Sequence, residues 1–393
     1  MLPRFVEKTR GNTRLGRAVC DAFGAFPCSR PALKRRETAL FLERAEDAYN
    51  FEDGEFINPV PTQKLVSGSF AGWTRDFLFA NRGLRVPRSP IPVETPAPTD
   101  FDVPSRDGLR ITWFGHSTAL LEIEGKRILT DPVFSKRASP MNWVGPVRFH
   151  KTPMDAEDLP RIDAVVISHD HYDHLDRETA LALARKAGGF YVPLGVDARL
   201  IAWGVPAERV FGFNWWESAR IGGVRLECLP ARHFSGRGLL DANKTLWSSW
   251  AFIGKKRKVF FSGDTGLFSG MADIGDRFDG FDAALLEMGA YNPSWAQIHM
   301  TPEEAVQAHL MLQAKTLVPI HWGTFDLAHL PWTEPAERLL SAASLEGARL
   351  ATPRPGESVE PLGDALPQPW WPRDLLDGRA GSSRRCAWPP FCG

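Results

Sequence analysis

The stretch Ser168-His169-Asp170-His171-Tyr172-Asp173-His174-Leu175-Asp176 decides how this chain is read. It holds three of the ten histidines in the protein, and with Asp173 they form the spacing His-x-His-x-Asp-His. The apolar run Ile162-Asp163-Ala164-Val165-Val166-Ile167 precedes it and reads as a buried strand. Imidazole and carboxylate are the donors that zinc, iron and manganese take. A strand that stops at such a cluster holds metal ligands on a short, stiff loop. A polar surface turn would not need this density of ligands, nor the partners found further along.

Those partners each follow an apolar run. Leu229-Pro230-Ala231-Arg232-His233 and Val318-Pro319-Ile320-His321 end on histidine, while Phe260-Phe261-Ser262-Gly263-Asp264 and Leu129-Thr130-Asp131 end on aspartate. Strand ends of this kind collect at one rim of a sheet, where rigid elements present loop residues to a ligand. The ligand arithmetic suits two ions. His169, His171 and His233 would hold the first, Asp173, His174 and His321 the second, and Asp264 would bridge them. Two such ions are expected roughly 3.5–4 Å apart, with a water between them whose pKa they lower. Asp131 is expected to orient a ligand imidazole from behind, and Asp170 to tether the loop. His116, in Gly115-His116-Ser117-Thr118, is either a support behind a ligand or a turn residue. His150, His309 and His329 read as ordinary histidines, and Lys255-Lys256-Arg257-Lys258 as a solvated hairpin turn.

Composition narrows the classes around this centre. Hydrophobic residues make up 43% of the 393 and charged ones 24%, enough to build a large core in a globular chain. Lys+Arg and Asp+Glu both number 47, so no global field attracts nucleic acid. The five cysteines, at 20, 28, 228, 386 and 392, are too scattered for a disulfide framework and suit a reducing, cytoplasmic compartment, with Cys386 and Cys392 as the one candidate pair. No apolar run approaches the roughly 18 residues of a spanning helix. The basic start lacks the apolar stretch of a cleaved signal.

Along the chain, residues 1–55 form an N-terminal extension with a helical candidate at Ala32–Tyr49, and 56–104 a proline-rich lead-in packing on the core. Strand-like segments are read at Arg110–Phe114, Ala119–Ile123, Arg127–Thr130, Ala164–Ser168, Phe190–Pro193, Val224–Leu229, Trp250–Gly254, Val259–Ser262, Ala283–Met288 and Thr316–Ile320. Helices are read at Arg177–Ala187, Thr301–Gln313 and Glu334–Leu345. The second opens on Thr301-Pro302-Glu303-Glu304, a capping threonine followed by proline and acids. Many strands with few helices predict an α/β chain, two sheets face to face with helices outside, over residues 105–362. Residues 363–393 read as an irregular tail. Two halves of similar strand content flank residue 230.

These residues resemble the metallo-β-lactamase superfamily, whose signature stands here as His169 to His174. Within it the chain is most similar to the N-acylphosphatidylethanolamine-hydrolysing phospholipases D. The similar segments include TWFGHST (112–118), ILTDPVFSKRASP (128–140), GPVRF (145–149), DAVVISHDHYDHLD (163–176), DANKTLW (241–247), GDTG (263–266), GAYNP (289–293) and IHWGTF (320–325). The resemblance implies a four-layer αββα sandwich and two zinc ions per chain. It implies a phosphodiesterase that attacks phosphorus with a metal-held hydroxide and releases phosphatidic acid and an N-acylethanolamine. It also implies a catalytic place for His299, near the substrate phosphate or leaving group. The chain departs from the family at Ile298, where a polar residue usually stands, and at Val60, where tryptophan is usual.

Such an enzyme acts on a phospholipid and meets a bilayer. Trp215, Trp216, Trp247, Trp250 and the aromatic tail are the candidates for that contact, and a homodimer is a further candidate assembly. Two alternatives remain open: a lactonase related to ascorbate-6-phosphate lactonase, and a non-catalytic metal-binding member of the fold. Transfer-RNA 3′ processing nucleases share the signature, but the balanced charge argues against them.

Overall fold

The computed structural model describes residues 43–65, 83–141, 143–238 and 240–372. Cys20, Cys28, Cys386, Cys392, the first part of the Ala32–Tyr49 helical candidate and most of the expected tail lie outside them. A short hairpin pairs β1 (Phe51–Glu52) with β2 (Glu55–Phe56). One large sheet contains β3 (Leu109–Gly115), β4 (Thr118–Ile123), β5 (Lys126–Thr130), β6 (Ala164–Val166), β7 (Phe190–Pro193) and β8 (Val210–Phe213), with β15 (Ser358–Val359) beside β3. The other contains β9 (Ser218–Ile221), β10 (Val224–Leu229), β11 (Ser249–Ile253), β12 (Lys258–Phe261), β13 (Phe281–Glu287) and β14 (Ala314–Ile320), paired in chain order.

The two sheets follow one plan. β3, β4 and β5 run antiparallel to one another, and β6, β7 and β8 then add in parallel. Likewise β9 to β12 are antiparallel and β13 and β14 add in parallel. Strands β3, β5 and β6 therefore share a direction, as do β10, β12, β13 and β14. Their carboxyl ends deliver His116, Asp131, the loop 168–176, His233, Asp264, Glu287 and His321.

Strand periodicity explains the layering. In the first sheet Ile111, Leu121, Ile128, Val166 and Tyr191 join one core cluster with Leu226, Phe252, Phe260 and Leu285 of the second sheet. Their neighbours Leu120, Leu129, Val165, Phe190 and Val192 turn the other way, into a second cluster. That cluster includes Ala180 and Leu183 of helix α1 (Arg177–Leu183) and Val196 and Leu200 of α2 (Val196–Trp203). Alternate side chains face alternate sheet surfaces, so a strand buried on both reads as a continuous apolar run. On the far side, α3 (Gly270–Phe278), α4 (Pro302–Met311) and α5 (Glu334–Glu346) cover the second sheet with Met271, Ile274, Val306 and Leu339. The result is the αββα sandwich expected.

Three of the tryptophans proposed for membrane contact belong to the core instead. Trp247 and Trp250 are 1% and 0% exposed, and their indole N–H groups donate to Ala231 O and Ile167 O. Trp215 is buried and donates to Trp247 O. Trp216 is part-exposed beneath the Arg277 guanidinium. Of the aromatic tail, Trp370 stacks on Trp322 at 5.4 Å and Trp371 is buried, so its described part also faces the protein.

Candidate metal centre

The loop after β6 is fixed before any ligand is considered. Asp176 caps α1 by accepting from Glu178 N. Asp170 accepts from Gly236 N at 2.8 Å and pairs with Arg199 Nη2 at 3.0 Å, and that guanidinium also reaches Asp241. Arg237 Nη1 donates to the carbonyls of Asp170 and Leu175, 2.7 Å each, while its plane lies 3.8 Å from the centre of the Tyr172 ring. Both ends of the ligand run are thereby pinned to one neighbouring loop.

The outward nitrogens of three rings are engaged, and this decides what their inward nitrogens offer. His233 Nδ1 donates to Ile298 O at 2.9 Å. His174 Nδ1 donates to Asp131 Oδ2 at 2.7 Å. Asp131 also accepts Ser168 N at 2.7 Å and the Ser168 hydroxyl at 2.6 Å. Having given its proton to Asp131, Ser168 Oγ accepts from His169 Nδ1 at 2.9 Å. The Nε2 atoms of His169 and His233 therefore point inward as bare lone pairs, and His174 Nε2 becomes one when its proton gives way to a metal ion.

These lone pairs converge with more of their kind. His171 Nδ1 lies 2.7 Å from His169 Nε2 and 3.3 Å from His233 Nε2. Asp264 Oδ2 lies 3.1 Å from His174 Nε2, 3.2 Å from His321 Nε2, 3.7 Å from His233 Nε2 and 3.8 Å from His169 Nε2. Asp173 Oδ2 lies 3.3 Å from His321 Nε2 and 3.4 Å from His174 Nε2. One set of donor atoms, from His169, His171, His233 and Asp264, fits within 4.8 Å, as does a second from His116, Asp173, His174 and His321. Buried Asp264 Oδ1, His174 Nε2 and His321 Nδ1 have no hydrogen-bond partner. Facing lone pairs and carboxylates without enough protons between them repel unless a cation sits there. The residues present fit a pair of metal ions, with Asp264 Oδ2 between the two sets.

Charge balance says the same. Burial pushes His169 and His233 well below the ordinary imidazole range, with neighbouring imidazoles adding to the shift. Burial also opposes charge on His174 and His321, but Asp264 and Asp173 outweigh it, raising His174 well above its usual value and His321 to about 10. Both carboxylates are buried, yet the same imidazoles hold them well below the usual range. Without metal, protons on His174 and His321 take the place of cations.

The remaining expected residues are placed as follows. Asp131 reaches His174 from behind. Neutral His116, lowered to about 3 by burial, donates Nε2–H to Asp173 Oδ2 at 3.0 Å. His299 offers a ring nitrogen within 4.8 Å of donors on Asp264 and His321, and its Nδ1 lies 3.3 Å from Glu287 Oε1. His150 stacks behind Gly115 and His309 sits on α4, both away from the donor sets. Sequence reading passed over Glu287, buried at the end of β13, and Asn58, whose amide brackets the His233 backbone with bonds of 2.7 and 2.9 Å. It also passed over Ser168, Arg199 and Arg237. Position at a strand end singles out Glu287; Asn58 and the arginines act through tertiary contacts that no local pattern announces.

A family model for the beta-lactamase superfamily domain matches residues 126–322. This chain belongs to the metallo-β-lactamase superfamily. Within the superfamily it is 36% identical over 317 residues to N-acyl-phosphatidylethanolamine-hydrolyzing phospholipase D 1 of Caenorhabditis elegans, covering 73% of this chain and 88% of that one. An uncharacterized protein of Mycobacterium tuberculosis is 46% identical over 349 residues, covering 87% and 92%. Among solved structures, the metallo hydrolase Igni18 of Ignicoccus hospitalis is 25% identical with a TM-score of 0.50, covering 64% of this chain and 97% of that one. The isothiocyanate hydrolase from Delia radicum gut bacteria shares the fold at 20% identity and a TM-score of 0.51, covering 64% and 98%. The chain is a metal-dependent hydrolase of the β-lactamase fold. Among the described residues, no helix is long and apolar enough to cross a membrane.

Proposed function

We propose that this chain is a zinc-dependent phosphodiesterase of phospholipase D type, releasing an N-acylethanolamine and phosphatidic acid from an N-acylated phosphatidylethanolamine. The observation that carries the reading is Asp264 Oδ2, set within 3.8 Å of imidazole nitrogens from both ligand sets. His169, His171 and His233 would hold one ion, and Asp173, His174 and His321 the other. A pair of ions in that position supplies Lewis acidity for a phosphoryl oxygen and a water nucleophile near neutral pH.

The chain's own side chains do the rest. Asp131, Ser168 and Ile298 O fix three ligand rings in the tautomer that turns lone pairs inward. His116 holds Asp173 toward its ligand set. His299, backed by Glu287, faces the same space and is placed to meet charge on the phosphoryl group or the leaving oxygen. The likeness to the nematode phospholipase D favours a phosphodiester over an ester among substrates this centre would accept.

The test is turnover of a synthetic N-acylphosphatidylethanolamine, with products identified by mass spectrometry, before and after chelation and after zinc is restored. N-acylethanolamine and phosphatidic acid should appear, vanish and return. Lactone hydrolysis with no phospholipid turnover would reject the reading. His299→Ala should slow turnover while leaving metal content unchanged.

A further inference from the structure

Four large apolar side chains stand in water on one hairpin at the rim of the site. Trp143 is 72% exposed, Met141 43%, Val144 41% and Val147 39%. The hairpin is held in shape. Arg137 bridges Val147 in antiparallel register, Ala138 N donates to Pro146 O at 3.2 Å, and Arg148 N donates to Lys136 O at 2.9 Å. Arg137 Nη1 caps the turn at Gly145 O, 2.5 Å away. Its base is tied to the metal centre. Val133 and Ala138 pack on Phe325, whose ring edges against His116 at 5.2 Å, and Phe149 N donates to Thr324 O.

The surface has a sign as well as an apolar character. Between Asp131 and Asp155 the chain carries Lys136, Arg137, Arg148 and Lys151 and no acid, although the whole protein is balanced. Lys136 and Lys151 are exposed. Arg148 is buried and serves the fold, donating to Val133 O. Asp176, which reaches this segment, is spent on Ser135 N, Thr179 and the start of α1. A tryptophan at an apolar tip with lysines behind it matches the interface of an anionic bilayer, where the ring settles at headgroup depth and the ammonium groups meet phosphates. Pro140 and Pro146 bring no N–H, and Met141 N donates to Ser139 Oγ.

We propose that the hairpin Lys136–Val147 docks this chain on an anionic phospholipid bilayer, through Trp143, Met141, Val144 and Val147 in the interface and Lys136 and Lys151 above it. The proposal deepens the phospholipid reading and rests on it for why a bilayer should lie beside the metal centre. Docking there would present the centre to lipids at the surface, without a helix that enters the membrane.

The test is co-sedimentation of the full chain with vesicles of phosphatidylcholine alone or mixed with phosphatidylglycerol. Wild type should bind the mixed vesicles more tightly. A Trp143→Asp, Val144→Asp variant should bind them about tenfold more weakly or worse. A Lys136→Glu, Lys151→Glu variant should lose the preference for phosphatidylglycerol. Circular dichroism, metal content and turnover of substrate in detergent micelles should stay at wild-type levels in the apolar variant. Equal vesicle binding by wild type and the apolar variant would overturn the proposal, as would no binding by wild type. If that variant instead turns a wild-type dimer into a monomer in sedimentation velocity with vesicle binding unchanged, the patch joins two copies and the proposal fails. Intact vesicle binding with no N-acylphosphatidylethanolamine turnover would sink the substrate reading alone.

Discussion

Asp131→Asn changes two protons and almost no volume, so it isolates what the carboxylate does behind the metal centre. Asp131 is fully buried and accepts three hydrogen bonds: Ser168 N, Ser168 Oγ–H and His174 Nδ1–H. Burial raises its pKa above the carboxylate norm, and those donors oppose the rise. An amide has one acceptor oxygen. If its NH2 takes the place of Oδ1 it meets the Ser168 N–H, which cannot rotate away. If it takes the place of Oδ2 it meets His174 Nδ1–H, and the ring must move its proton to Nε2, the atom facing Asp264. A buried donor without an acceptor costs about 1–3 kcal/mol. Removing a carboxylate behind a ligand histidine costs roughly 10–100-fold in metal affinity, or about 1.4–2.7 kcal/mol at ~1.36 kcal/mol per tenfold. Competition against a fluorescent zinc chelator reads the second quantity, and urea unfolding of the metal-free protein reads the first. A variant with wild-type chelator midpoint and unchanged unfolding would show that Asp131 does not set the His174 tautomer, and the lone-pair argument for the whole centre would lose its best-defined member.

Other outcomes follow from the same geometry. Asp264→Asn should lower turnover by about 100-fold or more, since both candidate ion sites would lose the carboxylate oxygen that lies between them, while circular dichroism stays unchanged; full turnover would reject a role for Asp264 in holding both ions. Metal loading should release protons, because His174 and His321 hold theirs in the metal-free protein at neutral pH. Affinity should therefore strengthen as pH rises toward the His321 value of about 10 and weaken as it falls; calorimetric titration in buffers of different ionisation enthalpy counts the protons, and zero would contradict the charge assignment. In the metal-free protein the same raised His321 value gives a stabilising contribution that is whole below its unfolded pKa of about 6.5 and is lost as pH climbs through about 10. Gly263→Ala sets a methyl 2.5 Å from Ser168 Cβ at φ +55°. A left-handed alanine and an overpacked site together should cost roughly 2–5 kcal/mol in denaturant unfolding, and a loss below about 0.5 kcal/mol would mean that Ser168 moves freely.

Much of this architecture is visible in local pattern, and the exceptions have physical causes. Every strand read from the sequence is present, with ends shifted by a few residues, because both-faced burial forces continuous apolar runs such as Ala164–Val166. The start of α4 is legible too: Thr301 Oγ1 accepts from Glu304 N, and the Glu304 carboxylate accepts from Thr301 N. Helix α3 is not legible in local pattern, since Gly270 and Gly275 are poor helix formers. Gly275 is there since a Cβ would lie 2.2 Å from Met311 O, so close helix packing overrides its poor propensity. Strand β8 hides its character at Gly212, whose missing side chain makes room for Asp197, and β9 is an edge strand with mostly polar outward residues. The tryptophans misled because composition cannot tell an interfacial ring from a core ring; Trp247 and Trp250 are core, and the exposed Trp143 lies in a segment with no helical amphipathicity to flag it.

The residues of the candidate metal centre come together as their type and spacing suggest, but their tautomers are not legible in sequence. The left-handed backbone at His116, Asp131 and His321, φ 55°, 33° and 62°, turns each side chain sharply off its strand end, and only coordinates reveal it. Asn58, Glu287, Arg199 and Arg237 support the centre from segments far away along the chain.

X-ray diffraction from crystals of the zinc-loaded protein, recorded on both sides of the zinc absorption edge, tests the central claim most directly. The account predicts two anomalous peaks roughly 3.5–4 Å apart, one among His169, His171 and His233, the other among Asp173, His174 and His321, with Asp264 reaching both. A single peak, or zinc bound anywhere else, would contradict it.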